Sequence, residues 1–142
     1  MTSGALQPGL RGESSLVVAE EHSAQHLGSG SVKVLGTPQM VLLMERAGVA
    51  AVDHLLPEGY RTVGTHLDVH HLAPTPIGFE VRATAKLLAI DGRQLTFRVE
   101  VHEQGTGGEQ LVGEGTHQRV IVDVQRFSDR VAQKEAGAST GS

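Results

Sequence analysis

The chain is of the α+β class: one long, largely buried helix followed by antiparallel strands that wrap around it. Residues 37–56, TPQMVLLMERAGVAAVDHLL, are nearly unbroken apolar sequence, the signature of a helix buried on most of its surface. From residue 61 onward, apolar and polar residues alternate with a period of two, as in strands with one dry and one wet face. Turn signals such as Asp91-Gly92 separate these runs. Strands that follow a single helix, instead of alternating with several, build an antiparallel sheet against it.

The elements follow in order. Residues 15–21 read as a short strand, and residues 22–31, HSAQHLGSGS, as a polar, Gly-rich connection of the kind from which mobile lids are made. Thr37 suits an N-cap, and Pro38 suits the first helical position, where its missing N–H leaves nothing unbonded. Met40, Met44, Ala47, Gly48, Ala51 and Leu55 recur at helical spacing, and valines, leucines and alanines fill most of the remaining surface. Pro57-Glu58-Gly59 stops the helix after about nineteen residues, roughly 28 Å. Strands are expected at 61–72 and 79–90, joined by PTPIG (74–78), then on a return strand carrying Leu95, Phe97, Val99 and Val101, and at 111–124 after EQGTGGEQ (103–110). A short terminal helix is expected at 126–134. The Gly/Ser-rich ends, 1–14 and 135–142, read as disordered, which leaves a single domain at 15–134. This is the outline of a hotdog fold.

Composition bounds the function. A chain of 142 residues with 39% hydrophobic content suits one domain with a real core. A net charge of −4 without any Lys/Arg cluster argues against a nucleic-acid surface. The absence of cysteine excludes a disulfide framework, a thiol nucleophile and a Cys-ligated zinc. No run approaches the length of a membrane span and no secretory leader is visible, so the expected compartment is the cytoplasm.

Glu45 stands out because it sits inside the apolar run. A carboxylate there escapes to solvent, finds a partner, or works with a raised pKa as a general base. Thr37 lies at the helix start, where free N–H groups and the positive dipole end favour an anion, although an N-cap hydroxyl is already committed to the backbone. Thr37 and Glu45 are eight residues apart, about 12 Å along the axis, so they do not touch. Either His71 lies between them or a second copy of the chain completes the site. On the strand at 61–72, alternation puts Leu67, Val69 and His71 on the apolar face, so His71 is expected to face the helix and Glu45. His66, Asp68 and His70 share the other face; without a further ligand at fixed spacing they make no metal site. His117 and Arg119 share a face of the last strand, where Arg119 suits a CoA phosphate, a substrate carboxylate or a structural salt bridge.

TPQMVLLMERAG (37–48), VGTHLDVHHLAPTPIG (63–78), GEGTHQR (113–119) and RF (126–127) together resemble the fluoroacetyl-CoA thioesterase-like family of the hotdog superfamily. The resemblance covers about 20–130 and implies hydrolysis of a small acyl-CoA thioester to free acid and CoA, without a metal. It implies catalytic roles for Thr37, Glu45 and His71 and acyl-CoA binding at Gly64 and Arg119. CoA enters as part of the substrate, no separate cofactor is implied, and hotdog proteins pair as homodimers or higher oligomers. Members selective for the fluorinated acyl group carry Phe side chains as a lid just before the Thr. Here Gly28 and Ser31 stand at about those positions, which fits a broader acyl preference. A hotdog enoyl-CoA hydratase or dehydratase, or a non-catalytic acyl-CoA-binding module, would use the same cleft.

Overall fold

A computed structural model describes residues 6–105 and 107–140. Strand β1 (Arg11–Val17) leads through a short helical turn to α1 (Ala24–Leu27), and then to the long helix α2 (Thr37–Val52). Strands β2 (Tyr60–His71), β3 (Glu80–Asp91), β4 (Gln94–Gly105) and β5 (Gly108–Asp123) follow, and α3 (Val124–Thr140) ends the described chain. The five strands form one antiparallel sheet in the order β1-β3-β4-β5-β2, so β1 and β2 are its edges.

The core lies between α2 and the concave face of this sheet. Met40, Leu43, Met44, Ala47 and Ala51 of α2 meet the inward residues Val81, Ala83, Ala85 and Leu87 of β3, and Leu95, Phe97, Val99 and Val101 of β4. Removing each larger side chain from water stabilises the fold by about 1.5–3 kcal/mol. Gly12 lets β1 come close to the helix: a Cβ there would lie 2.3 Å from the Ala47 carbonyl oxygen and the Ala51 nitrogen.

Four details differ from the sequence expectation. The first strand begins at Arg11, ahead of the expected 15–21, and places ordered backbone inside the stretch 1–14; residues 1–5 lie outside the described residues. Its residues RGESSLV carry no clear apolar alternation because Gly12 fills an inward position, so nothing in the pattern marks the start. The terminal helix runs to Thr140, well past 134 and through most of the stretch expected to be disordered; residues 141–142 are not described. Finally, α2 gives way to a tighter 3₁₀ turn at Asp53–Leu55, and it is not buried all round, because Leu42 and Val49 are each 38% exposed.

Candidate active site

Helix α2 and strand β2 run in opposite directions, and three contacts along their length define the site. Thr37 meets His71 at the start of the helix, Glu45 lies against Gly64 near its middle, and Asp53 bonds Thr62 just beyond its end.

The first contact depends on how α2 begins. Its N-cap is Gly36, not Thr37, and no side chain caps it; the Gly36 carbonyl accepts from the Met40 N–H at 3.0 Å. This corrects the expectation that Thr37 caps the helix, and it frees the hydroxyl. Thr37 Oγ1 lies 2.8 Å from His71 Nδ1. His71 Nε2 is buried and has no hydrogen-bond partner among the described residues. Burial lowers the His71 pKa from its ordinary 6.5, so the ring is neutral near pH 7 and able to accept a proton. The pair opens onto a cleft of about 330 Å³ walled by Ala24, Ser29, Leu35, Leu72 and Pro74. Residues 22–31 are not a bare loop: Ser23 caps α1 by accepting from the His26 N–H at 3.2 Å, and the segment returns to Leu35, whose N–H donates to the Thr75 carbonyl.

The second contact is the core of a polar cluster. Glu45 Oε2 lies 3.7 Å from Arg119 Nη1, with the Arg119 side chain only 6% exposed and Glu45 36% exposed. Arg119 Nε donates to Thr62 Oγ1 at 2.8 Å, and Nη2 donates to the Thr62 carbonyl at 3.0 Å. Thr62 Oγ1 in turn donates to Asp53 Oδ1 at 2.5 Å. Arg119 Nη1 also lies 3.1 Å from His117 Nε2. A guanidinium only donates, so Nε2 is the acceptor; the His117 proton therefore sits on Nδ1 and is donated to the His66 carbonyl at 2.8 Å. Burial lowers the His117 pKa, as this neutral tautomer requires, and the nearby Arg119 charge acts in the same direction. Burial also lowers the Arg119 pKa, opposed by the carboxylates of Asp53 and Glu45. Gly64 is needed where it stands: a Cβ there would fall 2.6 Å from Glu45 Oε2.

The five expected residues therefore form two groups, Thr37 with His71, and Glu45 with Gly64 and Arg119. The histidine beside Glu45 is His117, not His71. The cause is the antiparallel run of α2 and β2, which places His71 at the helix start and Gly64 at its middle. Arg119 is a buried member of a network and does not reach outward for a phosphate. His117 was visible in the Gly-Thr-His-x-Arg sequence at 115–119, but nothing there indicated a partner. Asp53 and Thr62 carried no signal. No group of three or more His, Asp or Glu among the described residues is placed to hold a metal ion.

The model of the fluoroacetyl-CoA-specific thioesterase family matches residues 18–125. The chain belongs to this family. A fluoroacetyl-CoA thioesterase of Streptantibioticus cattleyicolor is 39% identical over 102 residues, covering 72% of this chain and 70% of the relative. The solved structure of a fluoroacetyl-CoA thioesterase, 34% identical, superposes with a TM-score of 0.81 over 92% of this chain and 98% of that one. A thioesterase superfamily member from Thermus thermophilus, 25% identical, superposes at 0.87 over 96% and 98%. A hot-dog-like protein from Thermanaerovibrio acidaminovorans superposes at 0.79. This is the hotdog fold, and the site described above lies within the part of the chain that the family model spans.

Proposed function

We propose that the protein is an acyl-CoA thioesterase that hydrolyses a small acyl-CoA thioester to the free acid and CoA. Family membership supports the reaction class, and the free Thr37 hydroxyl at 2.8 Å from a neutral His71 is the observation that carries the chemistry. His71 Nδ1 takes the proton of Thr37 Oγ1, or of a water held in its place. The oxygen adds to the thioester carbonyl, the C–S bond breaks, and the proton passes to the departing CoA sulfur. If Thr37 is the nucleophile, a water then cleaves the acyl ester and restores the hydroxyl. The free N–H groups and positive dipole end at the start of α2, beside Thr37, suit it to receive the oxyanion. Glu45, held by Arg119 beside Gly64, serves as the second acid/base group or orients the attacking water. No step draws on a metal or a separate cofactor.

Two copies of the chain complete the site. Among the described residues edge strand β2 pairs only with β5, and its other side is available to a second β2 that would extend the sheet. Such pairing supplies a route for the Glu45 half of one chain to meet the Thr37–His71 half of the other. A cytoplasmic location belongs to the same proposal, since acyl-CoA thioesters are used there; no helix among the described residues is long and apolar enough to cross a membrane.

The test is thiol release over a panel of acyl-CoA substrates, for the native protein and for Thr37→Ala, Glu45→Gln and His71→Ala. Each variant is expected to lose about 10²-fold or more in kcat/KM. Full activity in Glu45→Gln would remove that residue from the mechanism. Hydration of crotonyl-CoA with no thiol released would replace hydrolysis by a hydratase reaction, and saturable binding without turnover would leave a binding module. An acyl adduct seen by mass in the native protein and absent in Thr37→Ala identifies the nucleophile. Partial activity on mixing Thr37→Ala with Glu45→Gln, each inactive alone, establishes the shared site.

A further inference from the structure

We propose that Thr75 and Glu103 are positioning residues, whose buried hydrogen bond sets the place of Thr37 relative to His71. Their role rests on the thioesterase reading given above and lies outside the reacting groups themselves. The inward positions of β4 run Leu95, Phe97, Val99, Val101 and then Glu103, so a carboxylate ends an otherwise apolar series. Glu103 is 8% exposed and makes no ion pair among the described residues. Its Oε1 accepts instead from Thr75 Oγ1 at 2.8 Å, and Thr75 is fully buried.

A buried carboxylate held by a neutral hydroxyl is a costly way to fill a core position, since an apolar side chain there would carry no desolvation penalty. What the bond does fix is the turn at 74–78. Thr75 stands between the two segments that carry the reacting pair. Its carbonyl accepts from the Leu35 N–H at 2.8 Å, and Leu35 is two residues ahead of Thr37. Val34 and Pro76 form a bridge beside this bond. In the other direction Thr75 follows His71 by four residues, and the Leu72 N–H between them donates to the Val112 carbonyl at 2.7 Å. One residue thus joins the approach to α2 with the exit from β2.

The start of α2 has no side-chain cap, so the Thr37 hydroxyl takes its place from the chain that leads to it. That chain needs a fixed point. Glu103 supplies one because β4 is paired on both sides, and paired backbone opens less readily than a turn. Its neighbour Val101 lies in the same row across the sheet as Gly113 and His71, so Glu103 stands one pleat, roughly 7 Å, beyond the row that holds the base. Leu35, Ala73 and Pro74, all beside this link, also wall the cleft onto which Thr37 and His71 open. A displacement of about 1 Å in such a pair costs on the order of 10²-fold in rate.

The experiment measures thiol release and thermal unfolding for Thr75→Val, Glu103→Leu and the double variant. Each single variant is expected to lower kcat about 10-fold or more with KM moving less than twofold, and Thr75→Ser, which restores the hydroxyl, to recover most of the loss. Thr75→Val also leaves the carboxylate buried without its donor, so Tm falls. In the double variant both polar partners are gone, so Tm returns toward native while kcat stays low; this variant also serves where a single substitution does not fold. Leu87→Ala, a core truncation on β3, should lower Tm and leave kcat within about twofold of native. A double variant that regains kcat together with Tm, or single variants with native kcat, would overturn the assignment, since the bond would then serve the fold alone.

The ring-nitrogen resonances of His71 read the contact without turnover. Thr75→Val should shift them in the same direction as Thr37→Ala, and Leu87→Ala should leave them in place. If the native protein releases no thiol from any acyl-CoA, the functional reading fails, and these resonances still decide the positioning: His71 signals unmoved in Thr75→Val end the proposal.

Discussion

Gly64→Ala separates the geometry of the site from the stability of the fold. The added Cβ would lie 2.6 Å from Glu45 Oε2, 3.2 Å from His117 Cε1 and 3.3 Å from Arg119 Nη1. Ordinary contact begins near 3.4 Å, so the carboxylate must retreat by about 0.8 Å, the difference between 3.4 and 2.6. Glu45 is 36% exposed and ends a flexible side chain, so it can turn away at roughly 0.5–1.5 kcal/mol for an off-rotamer position. The loss of glycine's freedom in the unfolded chain offsets about 0.4–1 kcal/mol of this. The net change in stability is then about 1 kcal/mol or less, a few degrees in Tm. Catalysis is less tolerant, because a group misplaced by about 1 Å costs on the order of 10²-fold. Thiol release and thermal unfolding on the same sample give both numbers. A variant that keeps native kcat/KM would refute the placement of Glu45 in the mechanism; one that loses activity only by losing its fold would refute the claim that the strain is local.

Other expectations follow from the same contacts. His71 must be neutral to accept a proton, and burial lowers its pKa, so the acid limb of kcat/KM should fall at a pH below 6.5; an acid limb above that value would exclude His71 as the base. His117 is also held neutral, so between 6.5 and its lower folded value the unfolded chain binds more protons and stability declines as the pH drops; in His117→Gln the urea-melt slope over this window should flatten. Arg119→Met removes the buried guanidinium that pairs with Glu45 and reaches the buried Asp53 through Thr62, and should destabilise by about 3 kcal/mol or more in urea melts, whereas a change under about 1 kcal/mol would mean the network contributes little. Gly12→Ala sets a Cβ against rigid helix backbone at 2.3 Å, so β1 must detach or the helix must shift, with a loss of several kcal/mol seen by the same melts.

The long elements were legible because their periodicity is physical. The alternation of Val81, Ala83, Ala85 and Leu87 with polar neighbours is the pleat of β3 itself, and Pro38 marks the start of α2. Strand β1 was misplaced because its contact with the helix uses the absence of a side chain at Gly12, which leaves no apolar period to read. The exposure of Leu42 and Val49 was missed because an apolar residue looks the same whether it meets its own sheet or the outside. In the site, the separation of Thr37 from Glu45 followed from helix rise alone. The assignment of histidines did not, since which of His71 and His117 meets Glu45 depends on the relative direction and offset of α2 and β2. The pairing of Asp53 with Thr62 depends on a 3₁₀ turn that no residue pattern announces.

The chain of bonds from Asp53 through Thr62 to Arg119 also sets how the two halves of the site open and close. The Thr62 amide donates to Asp53, and Thr62 is 6% exposed, so this half is joined to the end of α2 and to two paired strands at once. Releasing it means pulling the sheet from the helix, an event with the free energy of global unfolding. The Thr37 half lies instead beside α1 and the exposed residues 28–31, where little surface is buried. Hydrogen exchange should therefore find one slow and one fast region within a single site, with the carboxylate on the slow side and the hydroxyl beside the fast one.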